Sequence, residues 1–272
     1  VIADWGIDVF RYDGRSTPPP DASDDRRGIN WARSAEGFYE FWDALLQRFP
    51  NLWIDVCGGG GVNLDLETIR RSVVLWRCDF QCANHEDSAF ARMPMATHTH
   101  TFAISPWLPL SCGSVRELST YAFRSGYSPG LRYTFERLSE PGAPPEGTAH
   151  DELFGQLGRK LTQEYLSVRH CFYGDFYPLS RYSLEEDVWM AWQFDRPDLG
   201  EGIVQAFRRS ESVAETSRYP LRGLEPDATY DLADFDQPDR THMTGRQLIE
   251  EGLAITINDR PGAAVIRYRK VS

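Results

Sequence analysis

Two short apolar runs in this chain each end in an aspartate, Gly6-Ile-Asp-Val-Phe-Arg-Tyr-Asp13 and Val73-Val-Leu-Trp-Arg-Cys-Asp79. Each carries a basic residue, Arg11 or Arg77, two positions before its carboxylate. A pair of carboxyl groups is the minimum equipment for splitting a glycosidic bond. One must be ionised to attack the anomeric carbon, and the other must hold a proton until the leaving oxygen takes it. When configuration is retained, the two groups stand about 5–5.5 Å apart. A cation beside the attacking carboxylate helps it, as Arg11 would help Asp13. A close Arg77 would work against proton donation by Asp79, so the geometry of that pair matters. The plainer alternative for either aspartate is a strand-end residue that caps the next loop or helix.

Strand, carboxylate, loop, helix is the order in which a (β/α) barrel presents catalytic groups at the C-terminal face of its strands. The rest of the first half has that rhythm. Residues 7–12 read as a strand and residues 16–28 as a polar, proline-rich loop. Phe38, Phe41, Trp42, Leu45, Leu46 and Phe49 recur at helical spacing before Pro50. Residues 52–56 form the next strand and run into Cys57-Gly-Gly-Gly-Gly61, after which Asp65 opens a short helix. Residues 73–76 are the third strand, the apolar run 102–110 is a further barrel strand, and residues 153–165 form a long helix. This β-α alternation is the signature of parallel strands covered by helices. It supplies about four or five strand units, where a closed barrel needs eight. Beyond Tyr177-Pro178, short strand-like runs split by Gly, Pro and Asp predict an antiparallel β-sandwich. The expected organisation is part of a barrel over residues 1–178, about strands four to eight, and a C-terminal β-sandwich over 179–272.

The chain of 272 residues is 41% hydrophobic, enough for one or two cores. Its net charge of −11 argues against a nucleic-acid partner, which needs a basic face. No apolar stretch approaches a membrane span, so no membrane partner is expected. No signal peptide is in view at residue 1, although the early position of Asp13 suggests a chain that starts within a domain. Cys57, Cys78, Cys82, Cys112 and Cys171 are odd in number and widely spaced, which favours free thiols in a reducing, cytoplasmic compartment.

Five motifs in order resemble glycoside hydrolase family 36, the α-galactosidases of the melibiase clan. They are Trp5-Gly-Ile-Asp-Val-Phe-Arg-Tyr-Asp13, Ile54-Asp-Val-Cys-Gly-Gly-Gly-Gly61 with Asp65-Leu-Glu-Thr68, Leu75-Trp-Arg-Cys-Asp79, Tyr173-Gly-Asp-Phe-Tyr-Pro178 and Asp187-Val-Trp-Met-Ala-Trp-Gln-Phe-Asp-Arg-Pro197. The resemblance runs over essentially the whole chain. It implies that Asp13 is the nucleophile at the end of barrel strand four and Asp79 the acid/base at the end of strand six. It places Cys57, Gly58, Gly59 and Gly60 in the loop lining the sugar pocket, and Arg11 where many members hold sugar hydroxyls with a lysine. Arg77 and Trp107 complete the expected substrate-binding set. The implied reaction is retaining hydrolysis of terminal α-galactosidic bonds, with no cofactor because two carboxylates suffice. Related α-glycosidases, such as an α-N-acetylgalactosaminidase, and a non-catalytic carbohydrate-binding relative are the alternatives. Family members often form homo-oligomers. The complete family enzyme has an N-terminal β-sandwich and three barrel strands ahead of these motifs, so the chain by itself is expected to have little or no activity.

Some positions depart from the pattern. Gly14 and Arg15 follow the nucleophile in place of a bulky residue and Asn, and Val56 precedes Cys57 in place of Asn or Ser. Val62 and Asn63 stand where basic residues are usual. These changes bear on the sugar and leave both carboxylates in place. His98-Thr-His100, with His85 near it in sequence, has the spacing of a metal-binding pair on a strand, but a hydrogen-bonded or solvated pair is the better reading. The glycine run lacks the Lys-Ser/Thr of a phosphate cradle. Trp107 could stack on a sugar or pack in a core. Trp189 and Trp192, three apart in a strand, should face opposite ways.

Overall fold

A computed structural model describes residues 2–14, 18–21, 23, 26–57, 59–79, 87–108, 110–115, 117–133 and 149–271. Gly58, Cys82 and His85 lie outside them. The chain divides into two compact units, Val1–Asp79 and Phe80–Ser272.

The first unit opens with a short helix, α1 (Ile2–Trp5), and strand β1 (Val9–Tyr12). Helix α2 (Ile29–Arg48) follows. Its first turn is capped from outside by Asp21, whose carboxylate accepts the backbone N–H groups of Gly28 and Asn30. Strand β2 (Trp53–Val56) then pairs with β1 in parallel, with Arg11 opposite Asp55 and Tyr12 opposite Val56. Alternation sends Tyr12 away from Arg11 and Asp13 and onto α2, where it meets Phe38 at 4.4 Å and Trp42 at 6.2 Å between ring centroids. Trp42 is fully buried, so this aromatic seam ties helix to strand. Helix α3 (Leu66–Ile69) is capped by Asp65, which accepts from the Thr68 N–H and hydroxyl. Val73 then makes an isolated parallel bridge to Asp55; this corrects the expected strand over 73–76, since the backbone leaves the ladder from residue 75 onward.

In the second unit helix α4 (Asp87–Ile104) leads to strand β3 (Cys112–Val115), helix α5 (Thr120–Ser125) and strand β4 (Gly130–Tyr133). Strands β3 and β4 are parallel. This corrects the expected strand over 102–110: the segment is the end of α4 and the turn after it. Of the buried positions in this helix, Pro94, Thr97, His98 and Thr101 fall at helical spacing, and Thr99 is buried beside them. Most of them are polar, so an apolar pattern could not show the helix. The true strand, Cys-Gly-Ser-Val, has one β-branched residue and gave no strand signal.

Helix α6 (Ala149–Val168) and a 3₁₀ turn (Arg169–Tyr173) precede strand β5 (Asp175–Pro178). Strands β6 (Trp189–Arg196) and β7 (Glu201–Arg208) follow, then β8 (Thr216–Tyr219), β9 (Thr229–Asp234) and β10 (Arg240–Thr244). Helix α7 (Gly245–Glu250), β11 (Leu253–Thr256) and β12 (Gly262–Lys270) complete the chain. The antiparallel sheets expected here are present. One has six strands in the order β10-β9-β12-β7-β6-β5, and β8 pairs with β11. The central strands β6, β7 and β12 of the six-stranded sheet are buried on both faces. One face, with Met190, Trp192, Phe207 and Val265, packs on Phe123, Leu161 and Phe172 from the helical side. The other, with Ala191, Val204, Ile266 and Tyr268, packs on Tyr219, Leu248 and Ile255. Trp192 and Trp189 fall on these two faces respectively, as alternation requires.

Asp195 on β6 is buried in this sheet and accepts from the Tyr268 hydroxyl at 2.5 Å. Burial pushes its carboxyl up to about 6 against the Tyr268 hydrogen bond, and Asp175, its cross-strand partner, adds like charge. The folded state therefore binds this proton more tightly than the unfolded chain. The resulting stability is full below about pH 4 and is lost as the pH rises through about 6. Asp195→Asn keeps the shape and the acceptor but removes the charge. It is expected to raise stability at pH 7.5 by on the order of 1 kcal/mol and to change little at pH 4. Thermal unfolding at the two pH values checks this; equal effects at both would refute it.

Candidate active site

The carboxylate Asp13 stands one residue beyond β1, and the ladder continues past the strand: the Cys57 N–H donates to the Tyr12 carbonyl at 3.0 Å. Arg11 and Asp55 are therefore neighbours across the two strands, and Asp13 and Cys57 are the next pair on the same face. The Arg11 guanidinium bonds Asp55 at 2.5 Å and Asp13 at 3.3 Å. Cys57 is buried, whereas the Asp13 side chain is half exposed. The Cys57 thiol donates to Asp13 and, with Arg11 and the Gly59 N–H, holds that carboxyl below the usual carboxylate range against the opposing effect of burial. An ionised Asp13 suits the attacking role.

The glycine turn brings the second carboxylate to the same place. A Cβ on Gly60 would lie 2.7 Å from the Asp79 carboxyl carbon, so the Asp79 side chain rests against bare backbone. The Trp76 indole N–H donates to Asp79 at 2.9 Å, and the Arg11 guanidinium lies over the Trp76 ring at 5.8 Å. Trp76 was not singled out from the sequence, because a tryptophan in an apolar strand reads as core. Arg77 is buried while Asp79 is exposed, so the two side chains of this segment sit in different surroundings.

Gly61 has φ +83°, and a Cβ there would fall 2.1 Å from the Arg77 carbonyl oxygen. This close approach locks the turn to the segment that carries Asp79. Gly61→Ala is expected to cost about 2–4 kcal/mol, through the clash and the left-handed backbone. Urea titration would show it; a loss under 1 kcal/mol would mean that the turn can move away from the Arg77 carbonyl.

Of the expected site residues, Arg11, Asp13, Cys57, Gly59, Gly60, Arg77 and Asp79 all belong to the first unit. Gly58 lies outside the described residues. Trp107 belongs to the second unit, in the turn after α4, with 44% of its surface exposed. His98 and His100 are on helix α4 rather than a strand, so a two-residue separation puts them on different sides. His98 is buried, shares a 2.7 Å hydrogen bond with Ser125 and packs on Phe207 at 4.0 Å. Burial, with Arg209 nearby, holds it well below its ordinary value and hence neutral. Among the described residues, no three His, Cys, Asp or Glu side chains gather as a metal site would need.

Residues 189–267 match the glycosyl hydrolase family 36 C-terminal domain. Over that stretch the chain is similar to the C-terminal part of family 36 proteins. A curated relative, alpha-galactosidase C of Emericella nidulans, is 25% identical over 261 residues, covering 89% of this chain and 31% of the relative. The solved α-galactosidase of Lactobacillus brevis superposes with a TM-score of 0.73 at 18% identity, over all of this chain and 36% of that one. A variant of the α-galactosidase AgaA of Geobacillus stearothermophilus, solved in complex with raffinose, gives 0.69 at 19% identity, over 97% of this chain and 35% of that one. At that identity these two likenesses speak for the fold. The chain thus spans about a third of the length of the relatives it matches.

Proposed function

We propose that this chain carries the catalytic pair of a retaining glycoside hydrolase acting on terminal α-galactosides. One observation carries the reading: the Cys57–Gly61 turn receives both carboxylates, Asp13 through the Cys57 thiol and Gly59 N–H, and Asp79 against Gly60. In the proposed reaction Asp13 attacks the anomeric carbon while Asp79 gives its proton to the leaving oxygen. Asp79 then deprotonates the water that releases the sugar from Asp13. Arg11 faces the same space and would hold sugar hydroxyls. The relatives' names, α-galactosidases in each case, and the raffinose complex of one of them support a galactoside as the substrate. The parallel units around β1–β2 and β3–β4 support residues 1–178 as the second half of a (β/α)₈ barrel, with residues 179–272 as the sandwich. Among the described residues Cys57, Cys78, Cys112 and Cys171 are not in disulfides. No helix of the described residues is long and apolar enough to cross a membrane.

Labelling tests the proposal. In the natural polypeptide that contains this chain, a fluorinated α-galactosyl probe should attach covalently to Asp13, seen by mass spectrometry of the peptide. A polypeptide that neither labels nor cleaves an aryl α-galactoside would sink the enzyme reading.

A further inference from the structure

The Asp13 side of the proposed site rests on a buried acid to which the sequence motifs assigned no role. Asp55 sits mid-strand on β2, is 4% exposed, and faces Arg11 directly across the parallel pair. One carboxylate oxygen, Oδ2, accepts from Arg11 Nη1 at 2.5 Å. The other, Oδ1, is buried with no partner. A buried carboxylate left without its cation is costly, so this pair holds Arg11 more firmly than an exposed pair would. Asp13, by contrast, is half exposed, and its contact with Arg11 Nη2 is long, at 3.3 Å. An exposed arginine–aspartate contact of that kind would fix neither partner by itself.

We propose that Asp55 is a positioning residue: it anchors Arg11 from the buried side of the strand pair, so that the other arm of the guanidinium stays on Asp13. The fork of arginine is what makes this work, because one rigid plane reaches two carboxylates at once. The anchor also acts sideways. Arg11 lies over Trp76, and Trp76 donates to Asp79, so one buried carboxylate orients the surroundings of both members of the pair. The effect on turnover rests on the glycosidase reading, but the geometric claim does not.

The test is the titration of the Asp13 carboxyl, followed by ¹³C NMR in the chain as it stands. The charged and titratable groups facing Asp13 are Arg11 and Cys57, and Arg11 also faces Asp55. Asp55→Asn should move the Asp13 midpoint upward, in the same direction as Arg11→Gln. The double variant should move it no further than Arg11→Gln alone, because Asp55 acts only through Arg11. Asp55→Glu should restore part of the shift. Should Asp55→Asn fail to fold, Arg11→Lys gives the same reading: a lysine reaches one carboxylate at a time, and the midpoint should again rise. An unmoved midpoint in a folded variant, or effects that add in the double, would overturn the proposal. In the catalytically competent polypeptide, Asp55→Asn should lower kcat about tenfold or more and move the acid limb of kcat/KM to higher pH. If that polypeptide has no glycosidase activity, the function falls while the titration still decides the anchor.

Discussion

Asp13→Asn is expected to lower kcat on an aryl α-galactoside by about four orders of magnitude or more, because Asp13 is the group proposed to form the glycosyl-enzyme bond. Asp79→Asn should behave differently. Its loss should be about 10²–10⁴-fold on a sugar aglycone, and much smaller on an aryl galactoside whose phenol leaves without a proton. Azide, a nucleophile that needs no general base, should restore turnover in the Asp79 variant and yield an α-configured galactosyl azide. It should not restore the retained product in the Asp13 variant. The acid limb of kcat/KM should lie below the usual carboxylate range, since Cys57 and Arg11 keep Asp13 ionised and activity is lost only as the pH falls through that lowered value. Equal losses on both substrate types for the two variants would remove the division of labour between the carboxylates.

The second large effect concerns stability. Arg124 on α5 is fully buried, and all five of its N–H donors are used. Nε and Nη2 bond Glu164 at 2.7 and 2.8 Å, Nη1 and Nη2 bond Asp236 at 2.5 and 2.9 Å, and Nη1 also bonds the Ala263 carbonyl at 2.8 Å. This joins α5, α6, the turn after β9 and strand β12. Arg124→Met leaves Glu164 buried without its cation and is expected to cost about 3–5 kcal/mol, lowering Tm by roughly 10 °C. Arg124→Lys should recover little, because three donors on one nitrogen cannot match two carboxylates in plane. A triple variant with Glu164 and Asp236 also made apolar should regain much of the loss, since no buried charge then lacks its partner. A loss below 1 kcal/mol for Arg124→Met would show that the clamp contributes nothing.

The two effects arise from opposite uses of buried charge. Arg124 is satisfied on every donor and holds one packed unit together. Asp55 keeps one oxygen unsatisfied and holds a second residue where chemistry is proposed. Unsatisfied buried groups of this kind are where function and stability compete.

The amino-acid sequence by itself determined which residues carry reactive groups and where the strongest elements lie. α2, β2, β6, β7 and β12 were legible because burying one face of a helix, or both faces of a central strand, forces an apolar pattern onto local residues. Asp13, Asp79 and the glycine turn were legible because a carboxylate closing an apolar run and a run of four glycines are local features. Tertiary structure alone decided the rest. The burial of polar side chains along α4 has no apolar signature, so that helix was hidden. Asp55 and Trp76 read as ordinary strand residues until the parallel register set Arg11 beside one and over the other. Partnership across strands depends on register, and register is a relation between distant segments. No residue carries it alone, so the acid that anchors Arg11 became visible only in the folded chain.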